Sequence, residues 1–202
     1  MIDTIIFDFG DVLINLEKDA QIAAFKSIGI PEPTEQLIAL NTEFEKGLLT
    51  ELQFLTSIQQ FTPKTSLEEI KSAWNTIIGD FPLYRLEFLE MLANRYRLFL
   101  ITNTDAIHIE KFENNVGATF SNEFYRCFEK VYYSFETGMR KPEEELFKIV
   151  IRNHALIPKH TLFIDDKKAN TDVAEKLGIQ VWNINPGVED VVNLFDQKQF
   201  LL

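Results

Sequence analysis

The stretch Asp3-Thr4-Ile5-Ile6-Phe7-Asp8-Phe9-Gly10-Asp11-Val12-Leu13 decides the fold. Ile5, Ile6 and Phe7 make an apolar run too short for an ordinary helix, and it stops at an acidic turn that contains glycine. Such a run reads as a central strand buried on both faces. Asp8 stands where that strand ends, and in open α/β sheets ligands bind beyond the carboxyl ends of the strands. The same residues also suit a plain strand and turn in which Asp8 only caps the next segment. The rest of the chain separates the two readings.

From Phe81-Pro82 onward, apolar runs alternate with helical patterns. Residues 83–95 read as a helix. Arg97-Leu98-Phe99-Leu100-Ile101 reads as a buried strand delivering Thr102-Asn103-Thr104, and residues 105–115 as a helix that Asp105 can cap. Val131-Tyr132-Tyr133-Ser134 is a short strand leading to Gly138-Met139-Arg140-Lys141-Pro142. Pro142 suits a first helical position, with Glu143 to Glu145 near the positive end of that helix dipole. Thr161-Leu162-Phe163-Ile164 is another strand and ends on Asp165-Asp166. A helix to Leu177 stops at Gly178, Val181-Trp182-Asn183-Ile184 is the last strand, and residues 188–196 read as helical. This alternation predicts a parallel, Rossmann-like sheet with helices on both faces.

Between the first strand and Phe81 the pattern is helical only. Asp19 can cap a helix carrying Ile22, Phe25 and Ile28 before Gly29 and Pro31. Thr34 opens a second, with Leu37, Ile38, Leu40 and Phe44 on one side. Thr50 and Gln53 make a capping box for a third, carrying Leu52, Leu55 and Ile58, and Ser66 and Glu69 make one for a fourth, with Ile70, Trp74 and Ile77. The expected organisation is an α/β core of residues 1–14 and 82–202, with a four-helix cap at 15–81 inserted in it. Phe44, Phe54 and Trp74 read as cap core rather than as a specificity pocket.

The 202 residues are 46% hydrophobic and 25% charged, enough for a full core with a modest insertion. A formal net charge of -11 argues against a nucleic-acid or anionic-membrane partner unless a local basic patch overrides it. Cys127 is the only cysteine, so no internal disulfide forms and a reducing compartment is natural. The first apolar run holds Asp3 and Asp8, unlike a secretory signal, and no run is long enough to span a bilayer. A soluble, cytoplasmic protein is expected, with no protein partner inferable.

Three strands thus end on polar residues, Asp8, Thr102-Asn103 and Asp165-Asp166, and a loop adds Lys141. If the strands are parallel, all four groups converge on one edge of the sheet. Clustered carboxylates repel one another, and a hard divalent cation resolves the cost. Mg²⁺ takes a few carboxylates and fills its remaining positions with water and phosphate oxygens. Lys141 and Thr102 would then hold phosphate oxygens and leave Asp8 as an in-line nucleophile.

On these residues the chain resembles the haloacid dehalogenase-like hydrolase superfamily, in the branch with a small helical cap after the first motif. The nucleophile motif matches at Asp8, the hydroxyl motif at Thr102-Asn103-Thr104, the lysine motif at Arg140-Lys141-Pro142, and the acidic motif at Asp165-Asp166 followed by Asn170. Glu45-Lys46-Gly47, Thr50-Glu51 and Ala73-Trp74-Asn75 resemble the cap of the same branch. Any one motif arises by chance; four in order, each at a strand end or loop, are specific. The resemblance implies that Asp8 attacks a phosphomonoester to form an aspartyl-phosphate. It implies Mg²⁺ held by Asp8, the Gly10 carbonyl and Asp166, with Asp165 nearby or acting through water. Lys141 would offset the charge of the phosphoryl group. The backbone N–H groups of Phe9 and Gly10, with Thr102 and Asn103, would complete the phosphate cradle.

One position departs from the family pattern. Phosphatases of this kind carry a second aspartate two residues after the nucleophile as general acid/base, and here that residue is Gly10, with Asp11 one place later. Some members of this branch resemble the chain in having glycine here. Asp11 substitutes, or a water does, or Asp11 is only a solvated turn residue. The expected function is a Mg²⁺-dependent phosphatase of a small phosphorylated metabolite. A 2-haloacid dehalogenase is a first alternative, disfavoured because its ester chemistry needs no cation and leaves Asp165-Asp166 without a task. A phospho-ligand binding or regulatory module that lost turnover with the second aspartate is another. Among weaker candidates, His108 is expected to face solvent, His154 and His160 to lie at the surface, Cys127 to pack, and Tyr132 and Tyr133 to serve the sheet.

Overall fold

β1 (Thr4–Phe7) is the middle strand of a five-stranded sheet. The computed structural model describes residues 1–197. β2 (Arg97–Thr102) and β4 (Thr161–Asp165) flank β1, with β3 (Lys130–Tyr133) and β5 (Gln180–Asn183) at the edges, in the order β3-β2-β1-β4-β5. Every neighbouring pair is parallel. Phe7 pairs with Leu100 on one side and Ile164 on the other, so the carboxyl ends of β1, β2 and β4 reach the same edge.

The two-residue period of a strand explains why this short run is apolar throughout. Ile5 and Phe7 enter the larger apolar cluster, with Phe9, Phe81, Phe112 and Phe124, while Ile6 enters the cluster on the opposite face with Phe99, Phe147 and Phe163. Helices cover both faces: α5 (Leu83–Ala93) and α6 (Ala106–Arg126) contribute to the first cluster, α8 (Glu144–Asn153) and α9 (Lys168–Lys176) to the second. No helix among the described residues is long and apolar enough to cross a membrane.

Between β1 and α5 come α1 (Lys18–Ser27), α2 (Glu35–Glu45), α3 (Glu51–Gln59) and α4 (Leu67–Asn75). They build a third apolar cluster around Phe44, Phe54, Ile58 and Ile70. Both capping boxes form: the Thr50 and Ser66 hydroxyls accept from the N–H of Gln53 and Glu69, whose side chains reach back. Thr34 caps α2 by accepting from Leu37 N–H. Asp19, by contrast, lies inside the first turn of α1, and Glu17 precedes the helix without a side-chain cap. Ile22, Ile38 and Leu52 are exposed rather than part of that core.

The core helices differ from expectation in extent. The helix expected at 105–115 does end close to there, at Gly117, whose φ of +79° is non-helical; a second helical stretch then carries the α6 run on to Arg126 and buries Phe124. β3 ends at Tyr133, and Ser134 starts the one-turn α7 (Ser134–Thr137). Pro142 follows a cis peptide bond, and α8 begins only at Glu144. α5 ends at Ala93 and β5 at Asn183. Of residues 188–196, a 3₁₀ turn at Val191–Asn193 and then α10 (Leu194–Gln197) are helical.

Candidate active site

Asp8 follows β1 directly and is almost wholly buried, with its N–H donating to Ile164 O at 2.9 Å. Its Oδ1 accepts from Phe9 N–H at 2.7 Å and lies 2.7 Å from the Lys141 ammonium. Lys141 is itself fully buried and reaches Asp165 Oδ2 at 2.6 Å. A buried lysine survives as a cation only where carboxylates compensate it. Burial pulls its affinity for the proton down, and the charges of Asp165 and Asp8 more than reverse this, so Lys141 ends above its ordinary value.

Asp165 is the wiring centre of this edge. Its two oxygens accept from Lys141, from the Lys167 N–H at 2.8 Å and from the Asn170 amide at 2.9 and 3.0 Å. Asn183 donates to the carbonyls of Asp165 and Asp166 and so fixes the turn after β4. Asp166 is half-buried, and it lines a cleft of about 60 Å³ together with Asp8, Gly10, Asp11, Thr102 and Lys141. The carboxylate oxygens of Asp8, Asp165 and Asp166 come within 4.8 Å of one another.

Of these three carboxylates, Asp8 and Asp165 share the one contacting ammonium, while Asp166 feels Lys167 and Lys18 only at longer range. Burial and the charge of Asp165 push Asp8 up to about 7 despite Lys141, and Asp166 is raised by burial and by its acidic neighbours. A divalent cation among these oxygens removes both penalties, since it favours the charged form of each. All the donors are hard oxygens, the set that suits Mg²⁺.

The remaining predicted residues divide. Thr102, at the end of β2, is buried and lines the cleft. Asn103 also lines it, but its amide is spent on Lys141, donating to the Lys141 carbonyl at 2.9 Å and accepting from its N–H at 2.8 Å. Phe9 N–H is likewise engaged, on Asp8. Asp11 sits at φ +59°, accepts from Leu16 N–H at 3.2 Å and pairs with Lys18 of α1. Asp11 is therefore no free solvated turn residue.

Sequence reasoning missed the second row of contacts. Ser134 exchanges hydrogen bonds with Thr104 at 3.0 Å each way and holds the β2 loop against α7. Glu45 of α2 meets Arg140 at 2.7 Å beside the lysine loop. Gly47 ends α2 at φ +67°, where a Cβ would lie 2.1 Å from Phe135 O, so only glycine lets α2 approach the core there. The Glu45-Lys46-Gly47 run was the available signal. His108 is a correction: it is nearly buried, stacked on Trp74 and 2.9 Å from Asp105, instead of facing solvent. Asp105 does cap α6, accepting from His108 N–H, but its other oxygen also takes the Trp74 indole N–H at 3.1 Å. His154 is half-buried and bonds the Tyr132 hydroxyl at 2.8 Å. Cys127 is buried in the core.

The match to a family model runs over residues 5–184, from β1 to just past β5, and that family is the haloacid dehalogenase-like hydrolases. The chain belongs to this family. It is 26% identical over 195 residues to D-ribitol-5-phosphate phosphatase of Bacteroides thetaiotaomicron, covering 94% of this chain and 95% of that one. Among solved structures, a haloacid dehalogenase family enzyme of the same organism, in complex with magnesium and inorganic phosphate, superposes with a TM-score of 0.88. It shares 38% identity over 96% of this chain and 99% of its own. A predicted family hydrolase of Porphyromonas gingivalis gives 0.83 at 30% identity, covering 100% of this chain and 98% of that one. The parallel sheet described above is thus that of a haloacid dehalogenase-like hydrolase.

Proposed function

We propose that this hydrolase is a Mg²⁺-dependent phosphatase of a small phosphorylated metabolite, working through an aspartyl-phosphate on Asp8, with residues 15–81 as its cap. The observation that carries the reading is Lys141, fully buried between Asp8 and Asp165 at a cleft shared with Asp166 and Thr102. The magnesium- and phosphate-bound relative and the relative named as a phosphatase support it.

With Oδ1 held by Phe9 N–H and Lys141, Asp8 Oδ2 is the oxygen left to form the bond to phosphorus as the ester P–O bond breaks. The ammonium of Lys141 then faces a phosphoryl group whose charge grows in the transition state. The Thr102 hydroxyl contributes a further donor, while Asn103 acts by positioning the Lys141 loop. Asp8, Asp166 and the Gly10 carbonyl would hold Mg²⁺, and Asp165, whose oxygens are already committed, would stand behind them. Bound there, the ion supplies charge neutralisation for the phosphoryl oxygens. The leaving alkoxide takes its proton from Asp11 or a water, and water then cleaves the acyl phosphate and restores Asp8.

Single-turnover reaction of the purified protein with p-nitrophenyl phosphate and Mg²⁺, quenched in acid, tests this. The expected result is one phosphoryl group on the peptide containing Asp8, absent when EDTA is present. Phosphate release without that adduct overturns the covalent route, and no release in any condition overturns the phosphatase reading.

A further inference from the structure

Beside the catalytic cleft the structure holds a larger cavity, of about 230 Å³, between α1 and α2. Ile22 and Phe25 of α1 form one wall, Leu37 and Ile38 of α2 the other, and Phe54 and Trp74 lie beneath. α1 packs on α4 and α2 on α3, which leaves the first two helices facing each other across open space. Residues 30–33, the loop that joins them, line the far end.

Both helices tie the near end of the cavity to residues around the catalytic cleft. On α1, Lys18 lines the catalytic cleft, and Gln21, Ile22 and Phe25 line the cavity. Residues three, four and seven apart share one face of a helix, so the cavity begins about 4.5 Å along the axis from Lys18. On α2, Asn41 lines the cavity and donates to Glu45, whose carboxylate is held by Arg140 and feels Lys167, a residue of the cleft. The α1–loop–α2 unit is therefore a U whose two ends, Lys18 and Glu45, lie toward the cleft of Asp8 and the Arg140 loop. Ile22 and Ile38, each 56% exposed, stand on its two rims as large apolar groups with nothing over them. Within it the Asn41 side-chain oxygen is shielded from solvent and has no hydrogen-bond partner among the described residues. Mostly apolar walls with a few polar groups, here Gln21, Glu32 and Asn41, are the make-up of a small-molecule site.

We infer that the cleft between α1 and α2 seats the leaving group of the substrate, and that this group is an apolar alcohol rather than a polyol. The inference rests on the phosphatase reading for its chemistry. It names the part of the substrate that reading leaves open. The phosphate lies at Asp8 and the carbon chain runs along the α1 face, past Lys18 and Gln21, to Phe25 and Trp74. The volume holds roughly eight methylene-sized groups, taking about 30 Å³ for each.

The test is kcat/KM of the full chain with Mg²⁺ for n-alkyl phosphates from ethyl to dodecyl. It is paired with tryptophan emission on titration with ethylphosphonate and octylphosphonate, which cannot be hydrolysed. Trp74 lines the cavity, and Trp182, the other tryptophan, is buried in the core. The expected profile rises roughly threefold per methylene, the factor that burying one such group gives, and levels off near octyl. Octylphosphonate should change the emission at concentrations at least tenfold below ethylphosphonate. In the Ile22→Asp/Ile38→Asp double variant, altered only at exposed side chains, the profile should flatten to within twofold, with turnover measurable at every chain length and an unchanged melting temperature showing that the variant folds. Turnover with a flat profile in the native chain overturns the inference and leaves the phosphatase reading intact. So does a steep profile unchanged in the double variant, or a tenfold preference for D-ribitol 5-phosphate over octyl phosphate. Selective octylphosphonate binding without any turnover overturns the phosphatase reading and keeps the site; neither binding nor turnover overturns both.

Discussion

Trp74, at the end of α4, lies flat on His108, one turn into α6, with 4.9 Å between ring centroids and 9° between planes. The contact is tied at both edges. His108 Nε2 is 3.1 Å from Trp74 O, and its Nδ1 is 2.9 Å from the buried Asp105, which also takes the indole N–H. This knot joins the helical segment to the sheet-bearing part at a point beside the β2 loop.

A pH-dependent stability follows from it. Burial lowers the pKa of His108, but the charge and hydrogen bond of Asp105, the Trp74 carbonyl and the more distant Glu45 outweigh burial and raise it above 6.5. A raised folded-state pKa gives stabilisation that is complete below the unfolded value of about 6.5 and is lost as pH rises through the folded value. His108→Gln should therefore cost about 1–3 kcal/mol near pH 5.5 and progressively less toward pH 9. Denaturant melts of both proteins across that range check the sign, and a cost that grows with pH would reverse the assignment of charge.

The stack also marks where sequence reading stopped. Local signals were legible: Thr50 with Gln53 and Ser66 with Glu69 cap their helices as their spacing requires, and the run at Ile5 to Phe7 is a strand because no other element buries three such residues in a row. The convergence of Asp8, Thr102, Lys141 and Asp165 needed only parallel strands and alternation. What sequence did not reveal depends on partners far along the chain. His108 faces inward because Trp74, 34 residues earlier, is docked there. Asn103 serves Lys141 across 38 residues, and Asp11 is claimed by Lys18 only because α1 begins beside it.

Lys141→Ala should be a stability variant as well as an inactive one. It leaves Asp8 and Asp165 buried without their counter-charge, a change that costs about 3–5 kcal/mol. Lowering the pH toward 5 should narrow the difference from the native chain, because a proton on Asp8 removes part of the repulsion. Melting curves in EDTA measure this, and an unchanged melting temperature would mean that the ion pair contributes nothing to the fold.

The three acids should separate by consequence. Asp8→Asn keeps an acceptor for Phe9 N–H and Lys141, so it should fold normally while turning over aryl phosphates at less than roughly a tenth of the native rate. Asp166→Ala should also fold normally and raise the Mg²⁺ concentration needed for half-maximal activity at least about tenfold. Asp165→Ala removes the acceptor of Lys141, Lys167 N–H and Asn170 together, so its melting temperature should fall most. Metal titration and melts on the same preparations give the ranking; a stable Asp165→Ala with lost metal response would exchange the roles of the two acids.

Gly10 is where the acid step is decided. If no carboxylate protonates the leaving oxygen, aryl phosphates should react far faster than alkyl phosphates, because a phenolate needs little help and an alkoxide much. Gly10→Asp should flatten that dependence. The backbone at position 10 is not left-handed, and an added Cβ would meet only Leu16 Cδ1, at 2.9 Å, the tip of a side chain that can turn away. Pairing Gly10→Asp with Leu16→Ala removes that contact and controls for crowding. Asp11→Asn asks whether the neighbouring acid already does this work. To donate a proton, Asp11 must release Lys18, so Lys18→Met should raise alkyl phosphate turnover if Asp11 is the acid. In that case Asp11→Asn should lower alkyl turnover by up to roughly 10²-fold more than aryl turnover. Equal losses on both classes would assign Asp11 to holding the loop through Leu16 N–H and Lys18. No loss on either, with alkyl phosphates handled as well as aryl ones, would leave water as the proton donor.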